Sequence, residues 1–468
     1  MKKLACAVLC VLVAPTVLAA AKSELDMGPG VGITIYNANF GVVKERRLLD
    51  LKGGVQTLKF TGVASAIDAT SVHFTSLTDP KGVQILEQNY EFDLVSADKI
   101  LKKYLDNKIN LTLQAAGSEA AKKVNGYLKS YGGGKLILAT KADGGEIQII
   151  DRSAVRDVTC AELPDGLITK PTLVWKVSSD KAGKHLCKIA YMANQVSWNC
   201  DYTAVLKNKD TQIDLAGWVT VKNHSGARYK DARIKLIAGD VHRVTPPRPR
   251  YDAMERRRAT KARSAGFQEK SFAEYHMYTL GRPSTINENQ VKQIELIEPA
   301  IGVPVTKFFL YHVGAKRPRV MVEFENTKQN KLGIALPRGK VRVYQRDEAD
   351  GALEFIGEDQ IDHTPRDEKI KLYIGDAFDI IGETKQTAYQ SGQRWNRYTQ
   401  SVELRNHKDE DVEIRVQAHV SRGSRIEKQQ VNGKPVQGKR LDSARMEWRV
   451  KVPSKGKTKL VYTVFRSW

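Results

Sequence analysis

The feature that most limits what this chain can fold into is strict alternation. Val412, Ile414, Val416, Ala418 and Val420 alternate with polar residues, as do Met446, Trp448, Val450 and Val452. Val341 and Val343 flank Arg342, and Ile234 and Leu236 flank Lys235. A period of two places every apolar side chain on one face of a strand and leaves the other face wet, the signature of antiparallel sheets. Turn-forming clusters punctuate these runs at Asp50 to Gly54, Asp143-Gly144-Gly145, Asn223 to Gly226, Asp350-Gly351 and Asn432-Gly433. The last two are hairpin dipeptides, because both residues tolerate positive φ. Gly132-Gly133-Gly134 lies between strand-like runs and reads as a further hairpin. The spacing predicts a mainly β chain of several antiparallel β-sandwich domains with few short helices. Asp98 to Leu105 is the clearest helix in the first half.

A length of 468 residues suggests two to four domains. We divide the chain into an amino-terminal β domain at 23–170, a central sandwich at 171–298 and a carboxy-terminal sandwich at 299–468. The first 21 residues read as a signal peptide: Lys2 and Lys3, an apolar run from Leu4 to Leu18, then Ala19, Ala20 and Ala21 before Lys22. The run is too short to span a bilayer comfortably, and no later segment is apolar enough to do so. The expectation is an exported protein of the periplasm or outer envelope, or a secreted one, with no transmembrane segment in the mature chain.

Cys6 and Cys10 would be lost with the signal, leaving Cys160, Cys187 and Cys200. An exported compartment permits disulfides. Cys187 and Cys200 flank a turn expected near Ala193–Gln195, so they are the candidate bridge; three buried thiols are the alternative. No CxxC or zinc-ligand spacing occurs, and no metal site is expected.

Net charge is +22, and in an exported protein this points to an acidic polysaccharide, an anionic lipid or an acidic envelope protein rather than to nucleic acid. The charge is uneven: residues 347–383 hold twelve acidic against three basic side chains, and 421–468 thirteen basic against three acidic. Neutralisation within the molecule therefore competes with any basic-patch reading. The central segment is interrupted at 245–267. Pro246, Pro247 and Pro249 deny it a sheet ladder, and Arg256, Arg257, Arg258, Lys261 and Arg263 follow without an apolar stripe. It reads as a solvated insertion or, more sharply, as a docking segment for an acidic partner.

Motifs of known chemistry are missing. There is no HExxH, GxSxG, phosphate-binding loop or dinucleotide glycine pattern, and no cofactor is expected. Asn223-His224-Ser225-Gly226 reads as a turn and His276 as a packed strand residue. Asp376 and Asp379 could ligate a metal only with distant partners and read as solvated carboxylates. Trp198 and Tyr202 share one face of a strand and should fill a core; Gly217 before Trp218 suggests a bulge or close packing.

A series of motifs then carries a resemblance. It comprises Leu163-Pro164-Asp165-Gly166-Leu167, Pro171 to Trp175, Ser197-Trp198-Asn199-Cys200-Asp201-Tyr202, Gly217-Trp218-Val219, Ala238-Gly239-Asp240, Tyr275-His276-Met277-Tyr278, Leu336 to Tyr344, Ile356-Gly357-Glu358-Asp359 and Gly375 to Asp379. From Leu163 to Trp468 the chain resembles a bacterial domain-of-unknown-function family whose members are often labelled mucoidy inhibitor A-like. Cys200 departs from the small apolar residue expected there. The resemblance implies an exported multi-sandwich protein and carries over no catalytic residue. The functional expectation is a non-enzymatic binding or scaffolding protein of the envelope; the alternative is a hydrolase of wall polymer or protein using dispersed carboxylates.

Overall fold

The computed structural model describes residues 28–114, 121–164, 167–207, 209–239, 241, 267–272, 275–347 and 349–468, with 267–272 as backbone alone. Strand accounts for 66% of the described residues and helix for 3%, so the fold is mainly β, in several separate and mostly antiparallel sheets. The chain groups into two compact units, each built from separated stretches. One takes the segment up to Val31 with Lys44–Val63 and Ala69–Tyr191; the other takes Gly32–Val43, Ala64–Asp68 and Met192–Trp468. This grouping differs from a sequential three-part division, and the strand Gln290–Pro304 runs unbroken through 298–299.

In the first unit, Thr172–Ser179 is the centre of a three-stranded sheet between Gly54–Thr61 and Val83–Glu91. Its Trp175 is fully buried, and the indole N–H donates to Gln88 Oε1 at 2.8 Å, which satisfies the one polar atom taken from water. A five-stranded sheet of Val155–Thr159, Lys108–Leu113, Lys123–Ser130, Lys135–Lys141 and Gly144–Asp151 is covered by the helix Ala97–Lys103. The helix starts where Ser96 Oγ accepts from the Lys99 amide, and it buries Leu101 among Ile109, Leu111, Leu128 and Leu138.

In the second unit, a five-stranded sheet runs in the order Gln290–Pro304, Gln212–Asn223, Val196–Lys207, Gly339–Arg346 and Leu353–Ile361. Trp198 and Tyr202 are both buried on one face, as their spacing predicts. The Tyr202 hydroxyl donates to the Pro337 carbonyl at 2.8 Å, and the Trp198 indole to the Ile237 carbonyl at 3.2 Å. Gly217 is both a register shift and a close approach: a Cβ there would lie 2.9 Å from Ile297 and 3.1 Å from the Tyr202 ring.

Two further sheets of this unit form a sandwich. A six-stranded sheet is ordered Lys369–Asp376, Arg319–Glu325, Thr306–His312, Val412–His419, Arg445–Val452 and Lys439–Arg440. A five-stranded sheet is ordered Ile380–Gly392, Trp395–Asn406, Lys457–Ser467, Arg425–Val431 and Lys434–Pro435. The alternating side chains Ile414, Val416, Ala418, Trp448, Val450 and Val452 of the first share one core with Val402, Leu404, Leu460, Tyr462 and Val464 of the second. Asn432 and Gly433, at φ 48 and 83, close a two-residue hairpin with Val431 opposite Lys434, as the dipeptide predicts.

The cysteines correct one expectation. Cys160, Cys187 and Cys200 are all free. The chain does turn at Gln195, at φ 61, but the strands on either side do not form a hairpin. Gly183–Asn194, carrying Cys187, pairs in one sheet, and Val196–Lys207, carrying Cys200, pairs in another. A residue in the left-handed conformation here redirects the chain between sheets instead of folding it back on itself. Cys187 and Cys200 each pack as small buried side chains.

Candidate functional site

An open cleft of about 650 Å³ lies at one end of the six-stranded sheet. His312, Ala315, Lys316, Arg317, Arg319, Tyr373 and Asp376 line it. Three strands reach it together: the carboxyl end of Thr306–His312, the amino end of Arg319–Glu325 and the carboxyl end of Lys369–Asp376. Leu310 pairs with Arg319, and Arg319 with Asp376.

The loop between the first two strands is held rigidly. The Val313 amide donates to the Gln417 carbonyl at 2.9 Å, and the Gly314 amide to Thr384 Oγ1 at 3.2 Å. Tyr311, fully buried, donates its hydroxyl to the Ala315 carbonyl at 2.7 Å. The Lys316 carbonyl accepts from Gly382 and the Pro318 carbonyl from Ala377, at 2.9 and 2.8 Å. A Cβ on Gly382 would overlap the Tyr311 ring, so glycine is what lets this ring support the loop. The backbone is fixed while the Lys316, Arg317 and Arg319 side chains project from it.

Two guanidiniums lie on aromatic rings, Arg319 at 5.1 Å from the centre of Tyr373 and Arg317 at 5.0 Å from that of Phe378. Phe378 is 76% exposed, an apolar ring left in water beside a cationic cleft. Asp376 is the one carboxylate of the lining and accepts from the Tyr373 hydroxyl at 3.0 Å. Burial, and then the charges of Arg319 and Arg445, hold the His312 imidazole below its usual range, so it is neutral at pH 7. Cations in excess, planar donors, a neutral imidazole able to take a proton, and two rings at the rim suit an anionic ligand with planar or ring faces.

Sequence reasoning missed this cleft. Its signal was Lys316-Arg317-Pro318-Arg319, where a short loop runs into the strand Arg319–Glu325, and no pattern in the chain links these residues to Tyr373 and Asp376. The expected docking residues Arg256, Arg257, Arg258, Lys261 and Arg263 lie outside the described residues. His276 is buried in its strand. Asp379 meets the His407 amide through its backbone carbonyl. Among the described residues no group of three or more His, Cys, Asp or Glu is placed to hold a metal ion, and no helix is long and apolar enough to cross a membrane. Within the acidic stretch, Glu358 pairs with Lys340 at 2.9 Å and Glu383 with Arg405 at 3.1 Å, so part of its charge is neutralised locally. Burial pushes the Cys187 thiol up to about 11 and the Cys200 thiol up to about 12, which removes both as nucleophiles at neutral pH.

No curated protein matches the chain. A family model, described as a domain of unknown function (DUF4139), matches residues 187–468, which takes in the sandwich, the cleft and most of the motif series that began at Leu163. The chain therefore belongs to the DUF4139 family of domains of unknown function.

Proposed function

We propose that this is an exported, non-enzymatic envelope protein that binds an acidic polymer, and that the cleft of Lys316, Arg317 and Arg319 is where it does so. The observation that carries the reading is the rigid display of these three cations around a cleft containing one carboxylate, with exposed Phe378 at its rim. A hydroxyl-rich polyanion such as an acidic polysaccharide matches both properties. The same reading accommodates the finer family label, mucoidy inhibitor A-like, with its suggestion of a link to extracellular polysaccharide. The apolar run ahead of Ala19 to Ala21 supports export. A single lining carboxylate favours binding over polymer hydrolysis, which ordinarily takes a pair of carboxylates across the scissile bond.

The test is titration of the full chain with polygalacturonate at low and moderate salt. Each exposed charge contact contributes up to ~1 kcal/mol. Lys316→Gln with Arg317→Gln should therefore weaken binding about 5–30-fold. The wild-type affinity should itself fall steeply with salt, because exposed charges are screened beyond about 8 Å at physiological ionic strength. Equal binding by the double variant would overturn the assignment of the cleft.

A further inference from the structure

The outer face of the six-stranded sheet carries the cleft at one side and continues beyond it. Within that sheet Phe309, Tyr311, Ile414, Val416, Trp448 and Val450 point into the sandwich core. Their neighbours Leu310, Arg415 and Arg449 therefore point the other way, as does Arg319 beside core-packed Val320. The pairing register sets these four in one row across the strands. Arg319 is opposite Leu310, Leu310 is opposite Arg415, and Arg415 is opposite Arg449. Neighbouring strands lie about 4.8 Å apart, so Arg415 and Arg449 stand roughly 10 and 15 Å along the row from Arg319.

Two observations mark this row. First, Arg319 and Arg415 form no ion pair among the described residues, and neither do Lys316 and Arg317 at the cleft. Other cations of the same sheet and its loops are neutralised: Lys369 and Lys371 by Glu323 at 3.7 and 3.4 Å, and Arg445 by Asp442 at 2.7 Å. Second, Arg415 and Arg449 are like charges directly opposite each other, an arrangement that costs stability. Arg415 is half-buried, with its guanidinium carbon 3.7 Å from the centre of the Phe308 ring. Arg449, whose side chain is 65% exposed, has Glu413 at 3.7 Å, at the far end of the row. A half-buried cation without a carboxylate, set against a second cation, is a pair that an anion from outside relieves.

We infer that the acidic polymer proposed for the cleft is a linear polyuronate, and that it leaves the cleft along this row, at right angles to the strands. Its carboxylates meet Arg319, Arg415 and Arg449, and one ring lies over Leu310. The inference rests on the cleft reading and extends it by fixing the path and the minimum length of the ligand. A strand spacing of about 4.8 Å is close to the length of one pyranose ring, so successive strands meet successive sugars. The row crosses four strands and takes four sugars; a disaccharide reaches only part of it. Guanidiniums suit carboxylates because the planar fork donates two parallel hydrogen bonds. Half-buried Leu310 gives the intervening ring an apolar contact. Single-stranded nucleic acid is disfavoured, because it binds by stacking its bases on exposed aromatic rings, and the one ring under this row, Phe308, is buried beneath Arg415.

The test is fluorescence anisotropy of labelled digalacturonate and octagalacturonate with the full chain at low salt. The octamer should bind at least about tenfold tighter than the dimer, since it alone spans the row. Arg449→Gln, at an exposed position, and Arg415→Met, which keeps an aliphatic stem on Phe308, should each weaken the octamer about fivefold and leave the dimer unchanged. Lys316→Gln with Arg317→Gln should weaken both oligomers. If Arg449→Gln and Arg415→Met hold the octamer as the wild type does, the row is overturned and the cleft stands. If neither oligomer binds, both are overturned. If a single-stranded oligonucleotide of equal charge binds more tightly than the octamer and is weakened by the same variants, the polyuronate is overturned as the ligand of the row.

Discussion

Gly217 offers a test of the packing that holds the central sheet together. Its φ is not in the left-handed region, so alanine introduces no backbone strain, and the outcome depends on space alone. A Cβ would lie 2.9 Å from Ile297 Cγ1 and 3.1 Å from Tyr202 Cε1, against an ordinary carbon–carbon separation of about 3.5–4.0 Å. Ile297 can rotate, but Tyr202 is fully buried and tied by its hydroxyl to Pro337. Inserting one methyl group into a packed core costs about 1–3 kcal/mol. Loss of glycine's freedom in the unfolded chain returns about 0.4–1 kcal/mol. The net expectation for Gly217→Ala is a loss of roughly 1–2 kcal/mol, or about 2–4 °C in the thermal midpoint of a unit this size. Gly375 is the control: it too lies in a strand without positive φ, and a Cβ there meets nothing within 4 Å. Gly375→Ala should therefore be neutral or stabilising by up to about 1 kcal/mol. Calorimetry of the two variants decides the matter. If Gly217→Ala melts at or above the wild-type temperature, the close packing of Tyr202 and Ile297 against this glycine does not constrain the sheet.

Three further outcomes follow from the same geometry. Polyphosphate binding to the cleft should strengthen as pH falls through the depressed range of His312, below about 6.5, because an anion favours the imidazolium that burial, and then Arg319 and Arg445, disfavour. His312→Gln should remove that dependence, and a flat wild-type profile in titration calorimetry would refute it. Maleimide should modify Cys160 in the native protein and reach Cys187 and Cys200 only after denaturation; a disulfide-linked peptide carrying Cys187 and Cys200 in a non-reducing digest would contradict the separation of their strands between sheets. Ser96→Ala should cost about 1 kcal/mol by leaving the Lys99 amide uncapped, visible as faster hydrogen exchange in Ala97–Lys103 without change in the sandwich.

What the sequence determined by itself was local and periodic. Alternation at 412–420 and 446–452 gave strands whose inward residues are the core of the carboxy-terminal sandwich. Asn432-Gly433 closed its hairpin, Trp198 and Tyr202 filled one face, and a helix formed within two residues of the expected span. These follow from side-chain direction and backbone sterics over a few residues. The pairing of strands distant in the chain was beyond that reach. Gln195 looks like the turn of a hairpin, yet Cys187 and Cys200 lie on strands of different sheets, because sheet membership is set by which distant strand completes the ladder. The candidate site shows the same limit. Lys316, Arg317 and Arg319 meet Tyr373 and Asp376 only because Lys369–Asp376 pairs beside Arg319–Glu325. Periodicity fixes which face a side chain takes; long-range pairing and register decide what it faces, and a functional surface is made of the second.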